Sequence, residues 1–254
     1  MHNRLLGSIF ALVAVLVFAS AILAQTTEQS GEAMAPTAAP KPDLSGVWLR
    51  HMPVSARQYF SNQEPSMRPW AEAKYKAAKP TLGPNAVPEL SDPVFSCFPP
   101  GVPQILLWPY PMEIIQIPGR VIMFFEFNHY VRQIYTDGRG HNQDLPPTWM
   151  GDSIGRWEGD TLVVDATGFN DKTSIDRLGH PHSDAMHLVE RIRRVDHDTL
   201  QDDITIDDPK AFTKPWTGQQ IFQLKPGWEI AEYVCEDNVN FLDLHKKAIA
   251  DPTK

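Results

Sequence analysis

The sequence predicts a mostly β protein: an antiparallel meander, closed into a barrel or folded into a two-sheet sandwich, with one early helix. Three observations carry that prediction. Short apolar or alternating runs recur along the chain, and Pro, Gly or Asp-Gly signals cut them. Proline is abundant, 23 of 254 residues, which disfavours a helical bundle. The breaks between runs are short, so consecutive strands should pair with their neighbours.

Taken in order, Leu44–Leu49 (LSGVWL) reads as a first strand. Residues 66–79 read as the one helix, because Pro69 suits a first turn, alanines at 71, 73, 77 and 78 favour helix, and Pro80 stops it. Gln104–Trp108, Met112–Ile117 and Arg120–Asn128 are apolar runs, the last two joined by a Pro118-Gly119 turn. Tyr130–Thr136 alternates and ends at Asp137-Gly138-Arg139-Gly140. Ser153–Glu158 and Thr161–Ala166 flank a Gly159-Asp160 turn, and His187–Val195 and Thr199–Asp207 flank Asp196-His197-Asp198. In 199–207, Leu200, Ile204 and Ile206 share one face and Gln201, Asp203 and Thr205 the other, the signature of a half-buried strand. Gln219–Leu224 and Trp228–Cys235 make a last pair around Lys225-Pro226-Gly227, and residues 238–249 form a short C-terminal helix. The total is roughly ten strands, and their edges must be closed or covered.

The first residues read as an address. A basic start through Arg4, an apolar run from Leu5 and a small residue at Ala24 have the form of a secretory signal, cleaved after residue 24. Residues 25–42, rich in Thr, Ala, Pro, Glu and Gln, read as a disordered linker, and 43–254 as a single β-rich domain. The expected location is therefore periplasmic or secreted, with no stable membrane span after cleavage. The two cysteines, Cys97 and Cys235, are a candidate disulfide in an oxidising compartment, with two buried thiols as the alternative. A formal charge of -8 without a basic block argues against nucleic acid and against a polybasic membrane contact.

The opening Gly46-Val47-Trp48 is similar to the Gly-x-Trp first strand of lipocalin-like (calycin) barrels, which implies a calycin-like barrel. The blocks TWMGDSIGRWEGD (148–160) and GHPHSDAMH (179–187) resemble an uncharacterised family of secreted bacterial proteins, a resemblance that implies no known activity.

The densest polar feature is HPHSDAMH, where His180 and His182 fall on one face of an extended chain. Either histidine could serve as a general base with Asp184 orienting it, and His187 could reach back. Asp137, Arg139 and His141 form a second set, with Arg139 placed to stabilise developing negative charge and His141 to act as acid or base. Trp149 is the candidate for stacking on a ligand, and Asp152 and Arg156 read as a charge pair at a cavity edge. Glu190 shares one strand face with Leu188, Ile192 and Arg194, and either binds ligand or faces solvent.

These residues predict an exported small-molecule-binding barrel. Loops 137–152 and 176–187 would converge on a cavity that does cofactor-free acid–base chemistry, as a hydrolase, lyase or isomerase. The ligand would be small and apolar or aromatic. The alternatives are a non-catalytic carrier, a divalent-metal enzyme using His180, His182, His141 and His187, and an envelope interaction module. No cofactor is expected beyond that metal alternative, because phosphate-cradling Gly motifs are absent from the sequence.

Overall fold

The computed structural model describes residues 42–51, 59–78 and 92–235. The signal segment 1–24, all of the linker but residue 42, and the C-terminal helix over 238–249 lie outside the described residues.

Nine strands close into one barrel. They are β1 (Gly46–Arg50), β2 (Met112–Ile117), β3 (Arg120–Phe125), β4 (Val131–Tyr135), β5 (Asp152–Glu158), β6 (Thr161–Thr167), β7 (His187–Arg194), β8 (Thr199–Asp207) and β9 (Trp216–Leu224). Each pairs with its sequence neighbour, and β1 closes the ring against β9 through Trp48↔Leu224 and Arg50↔Phe222. A ring of nine strands cannot alternate direction throughout, so at least one pair must run parallel. That pair is β4–β5, with Ile134↔Ser153 and Tyr135↔Ile154. A parallel pair needs a crossover rather than a tight turn, which residues 136–151 supply. Gly155 is required at this seam: a Cβ there would sit 2.8 Å from Ile134 Cγ2.

Alternation fixes which side chains face inward. On β8, Leu200, Asp202, Ile204 and Ile206 are buried, and on β7 so are Leu188, Glu190 and Ile192. Trp48, Met112, Ile114, Val121, Met123, Ile134, Leu162, Val164 and Phe222 join them in one continuous core. Burying each such side chain contributes about 1.5–3 kcal/mol, set against the entropy of ordering the chain.

Arg132, Glu190 and Asp202 lie inside this core. Arg132 donates from Nη1 to Glu190 Oε1 at 2.8 Å, from Nη2 to Glu190 Oε2, and from Nε to Ser153 Oγ at 3.2 Å. Asp202 is fully buried beside them. Burial first, and the Glu190 charge second, push its carboxyl well above the ordinary range, and its Oδ1 has no hydrogen-bond partner among the described residues. Glu190 is thus neither a ligand contact nor a solvent-facing charge; it is sealed in the wall as the partner of Arg132.

The described parts of three connections, within 51–111, 168–186 and 208–215, leave the barrel at the same end and form its lid. They are tied to one another by the bridge Met67↔Phe212, by the Phe60 amide on Asp176 and by the Ser183 amide on Asp208. The lid holds the helix α1 (Pro69–Ala77), which starts on Pro69 and buries Ala71. A Lys76–Glu72 pair one turn apart lies along its exposed face. Two expected strands are absent. Gln104–Leu107 is a 3-10 helix entered from Pro103, with its residues buried under the lid. Residues 228–235 form no strand, because β1 already occupies the edge of β9 that such a strand would need.

Cys97 and Cys235 are disulfide-bonded, with Cα atoms 5.6 Å apart. The bridge sits beside a small second core of Val94, Trp108 and Phe127, against which Tyr110 and Tyr233 pack.

Candidate functional site

The lid loop between β6 and β7 is folded around Asp176. Its Oδ1 accepts from the backbone N–H of Leu178, and its Oδ2 from the backbone N–H of Phe60. The same carboxylate meets His180 Nδ1 at 2.9 Å, while His180 Nε2 faces Glu64 Oε2 at 3.3 Å. The imidazole is stacked on Tyr75 of α1, with ring centroids 4.3 Å apart, and also packs against Trp216. Burial opposes its charge, but the hydrogen bond and charge of Asp176, aided by Glu64, win and raise its pKa. His180 is therefore a charged post that joins loop, helix and barrel.

His182, two residues on, is in the opposite state. Its Nδ1 lies 3.0 Å from the Ser183 carbonyl, which can only accept, so Nδ1 carries the proton. Its Nε2 is then the acceptor, and the Thr173 hydroxyl donates to it at 2.8 Å. Burial depresses the pKa of this imidazole, which keeps it neutral. Ser183 is held in turn by Asp208, whose carboxylate accepts from its amide at 2.6 Å and its hydroxyl at 2.7 Å.

Thr173 forms part of the wall of a 260 Å³ cleft between α1, the turn at Asp92–Pro93 and the lid loop. Lys74, Lys172 and Arg177 line the same cleft, and no salt bridge among the described residues engages any of the three. Among the described residues the one carboxylate lining it is Asp92, which burial pushes above its ordinary range and which accepts from Gln104 Nε2 and Val94 N–H. The Arg177 guanidinium lies 4.5 Å above the Trp108 ring, and burial lowers its pKa to about 10. It therefore still carries its charge at neutral pH.

A second polar group lies on the outer face of β5, β6 and β7. His141, from the crossover, bonds Asp152 Oδ2 through Nδ1 at 2.8 Å and Asp165 Oδ1 through Nε2 at 3.0 Å. His187 Nε2 reaches the same Asp165 oxygen at 2.9 Å. Burial works against the charge on His141, but the two carboxylates raise its pKa overall. Both ring nitrogens are engaged, so His141 pins the crossover to the barrel wall. A 280 Å³ cleft runs beside it, lined by Asn142, Thr148 and Thr167 among others.

The expected residues therefore separate into distinct groups. His180 and His182 share the lid, whereas His141 and His187 share Asp165 on the wall; the lid cleft is lined from loop 176–187 and the cleft beside His141 from loop 137–152, with Trp149 near Lys172. The expected four-histidine metal set is divided between these two places. Among the described residues no three His, Cys, Asp or Glu side chains are arranged to hold a metal ion. Asp184 orients neither histidine but forms an exposed pair with Lys210 at 2.7 Å. Asp137 and Arg139 pair with each other on the surface, with Arg139 over the Tyr135 ring, far along the chain from the lid elements. Asp152 and Arg156 do not pair: successive outward positions of a strand leave Arg156 beside Glu158 at 2.8 Å, and Asp152 goes to His141. Trp149 stacks on Phe98, and Lys172 lies 5.8 Å from its ring centre.

Sequence reasoning missed Asp176, Thr173, Arg177, Lys74 and Lys172. The spacing Asp176-x-x-x-His180 was a usable signal, as was Asp165, a lone acid inside the apolar run LVVDA. The lysines carry no local signal, because only the fold brings α1 beside the lid loop.

No family model matches the chain, and no curated protein matches it. Among solved structures, human cRBP IV is similar at 13% identity and a TM-score of 0.33, over 72% of this chain and 99% of that one. The barrel architecture rests on the strand pairing itself rather than on this likeness.

Proposed function

We propose that this is an exported barrel protein that binds a small anionic molecule in the lid cleft. The observation that carries the reading is charge. A chain of net charge -8 brings Lys74, Lys172 and Arg177 together around one cleft where, among the described residues, none of them has a salt-bridge partner and Asp92 is the one lining carboxylate. Like charges gathered this way repel, and a bound carboxylate or phosphoryl group would relieve the repulsion through charge-assisted hydrogen bonds. The cationic lining favours an anion over the purely apolar ligand expected from sequence, and Pro93, Ala77 and Ala78 add apolar surface to the same cleft. The disulfide fits an oxidising compartment.

The test is calorimetry with short dicarboxylates and sugar phosphates. Binding should be saturable and weaken as salt rises. Lys172→Ala and Lys74→Ala should each weaken it by about tenfold, the equivalent of one charge-assisted hydrogen bond. Binding that ignores both lysines would overturn the reading.

The Thr173–His182 bond favours a second reading in which the bound molecule is also turned over. Thr173 Oγ1 would attack an ester carbonyl carbon while its proton passes to His182 Nε2. The proton would then go to the departing alkoxide as the ester bond breaks, and water would release the acyl group by the same route. Thr173→Val should abolish hydrolysis of a carboxylate-bearing ester while leaving its binding intact. A pure carrier would bind the ester, release it unchanged, and show no difference between wild type and Thr173→Val.

A further inference from the structure

A second groove is distinct from the lid cleft. It holds about 510 Å³ and is lined by the segment 59–63 and by residues of β8 and β9.

Its rim is built rather than incidental. The Phe60 carbonyl accepts from Gln220 Nε2 at 3.0 Å, the Tyr59 carbonyl from Arg50 at 3.2 Å, and the Gln63 carbonyl from Trp216 Nε1 at 2.7 Å. Those three donors are buried side chains. Gly218 allows the approach, since a Cβ there would stand 2.4 Å from the Phe60 carbonyl oxygen. Three buried polar side chains are thus committed to holding a short surface segment in place. A fixed rim lowers the entropy cost of binding.

Among the described residues the lining is rich in neutral hydrogen-bonding groups. Ser61, Asn62, Thr205, Thr217 and Gln219 contribute hydroxyls and amides, and Tyr59 is also part of the lining. The one charged side chain among these residues is Asp203. It is held by Gln201 Nε2 on one oxygen and Gln219 Nε2 on the other, both at 2.7 Å, and it retains further acceptor capacity. A ligand of many hydroxyls suits this set: each hydroxyl can donate to Asp203 or accept from an amide.

We infer that this groove is a binding site for a neutral oligosaccharide, independent of the anion cleft. The volume admits a ligand of drug-like size, in the range of about 300–1,000 Å³ typical of ligand pockets.

The experiment is calorimetric titration of the mature protein with maltotriose, cellotriose and triacetylchitotriose, with ligand-observed saturation-transfer NMR on the same samples. One of the three should bind saturably. Asp203→Ala and Gln219→Ala should each weaken that binding by about tenfold or more. Both positions lie on the outer face, so thermal melts should match wild type and exclude misfolding as the cause. Lys172→Ala, which disables the proposed anion cleft, should leave saccharide binding unchanged. Absence of saturable binding for all three sugars would overturn the inference. So would binding that survives both groove variants, or binding that is lost with Lys172→Ala.

Discussion

The molecule contains two buried polar clusters, and they solve the same problem differently. Inside the barrel, Arg132 and Glu190 satisfy each other, guanidinium against carboxylate, with Asp202 beside them, its pKa raised by burial. In the lid, His180 is held charged by Asp176 while His182 is held neutral, two residues away, and bonds a hydroxyl at a cleft wall. The first cluster is compensated and enclosed. The second borders a cleft whose cations form no salt bridge among the described residues. Burial of polar groups is therefore common to both clusters; what sets the lid apart is the cationic cleft beside it.

The strongest way to break this contrast is to uncouple the interior pair. Arg132→Met should cost about 3–5 kcal/mol, because it leaves Glu190 charged and alone in the core. Chemical denaturation should show the loss, and adding Glu190→Leu should recover much of it. Removing the disulfide with Cys97→Ser and Cys235→Ser should rank next, with up to about 5 kcal/mol lost, given a sequence separation of 138 residues. The melting temperature should fall without reductant and match that of the reduced wild type.

The lid should respond to pH instead. His180 has a folded pKa above its ordinary value, so its contribution is fully present below about pH 6.5 and is lost as pH rises through the raised value. His180→Gln should flatten that part of the stability profile, and an NMR titration of the imidazole should give the raised pKa directly. Asp202 has the same sign in a more acidic window: its folded pKa is raised, so stability declines as pH climbs from the ordinary carboxylate range through the folded pKa. Asp202→Asn should remove that slope. The smallest effect should come from Asp184→Ala, whose exposed partner Lys210 is solvated either way, so the melting temperature should not change measurably.

Most of the barrel was legible because hairpin strands advertise themselves locally. β2 and β8 coincide with the runs read from alternation and turn signals, and β3 to β7 differ only at their ends. Residues 104–108 and 228–235 misled because a short apolar run has the same composition whether it packs as a strand or lies under a lid. The candidate site was legible only in part. His180 and His182 stood out as a pair, but their partners Asp176 and Thr173 are fixed by a folded loop rather than by strand period. The apparent kinship of Asp184 with the histidines dissolved for a simple reason: in this loop, closeness in sequence points its side chain outward, toward Lys210.

The order in which the ring closes has a consequence for how the chain is made. β1 leads the described chain, yet one of its flanks waits for β9, close to the other end. Throughout synthesis, and any passage across a membrane, the leading strand must stay half-paired while more than two-thirds of the fold accumulates behind it. Cys97 waits in the same way for Cys235. A chain truncated before residue 216 would not be a slightly shorter barrel; it would be an open sheet with two sticky margins and a lone thiol.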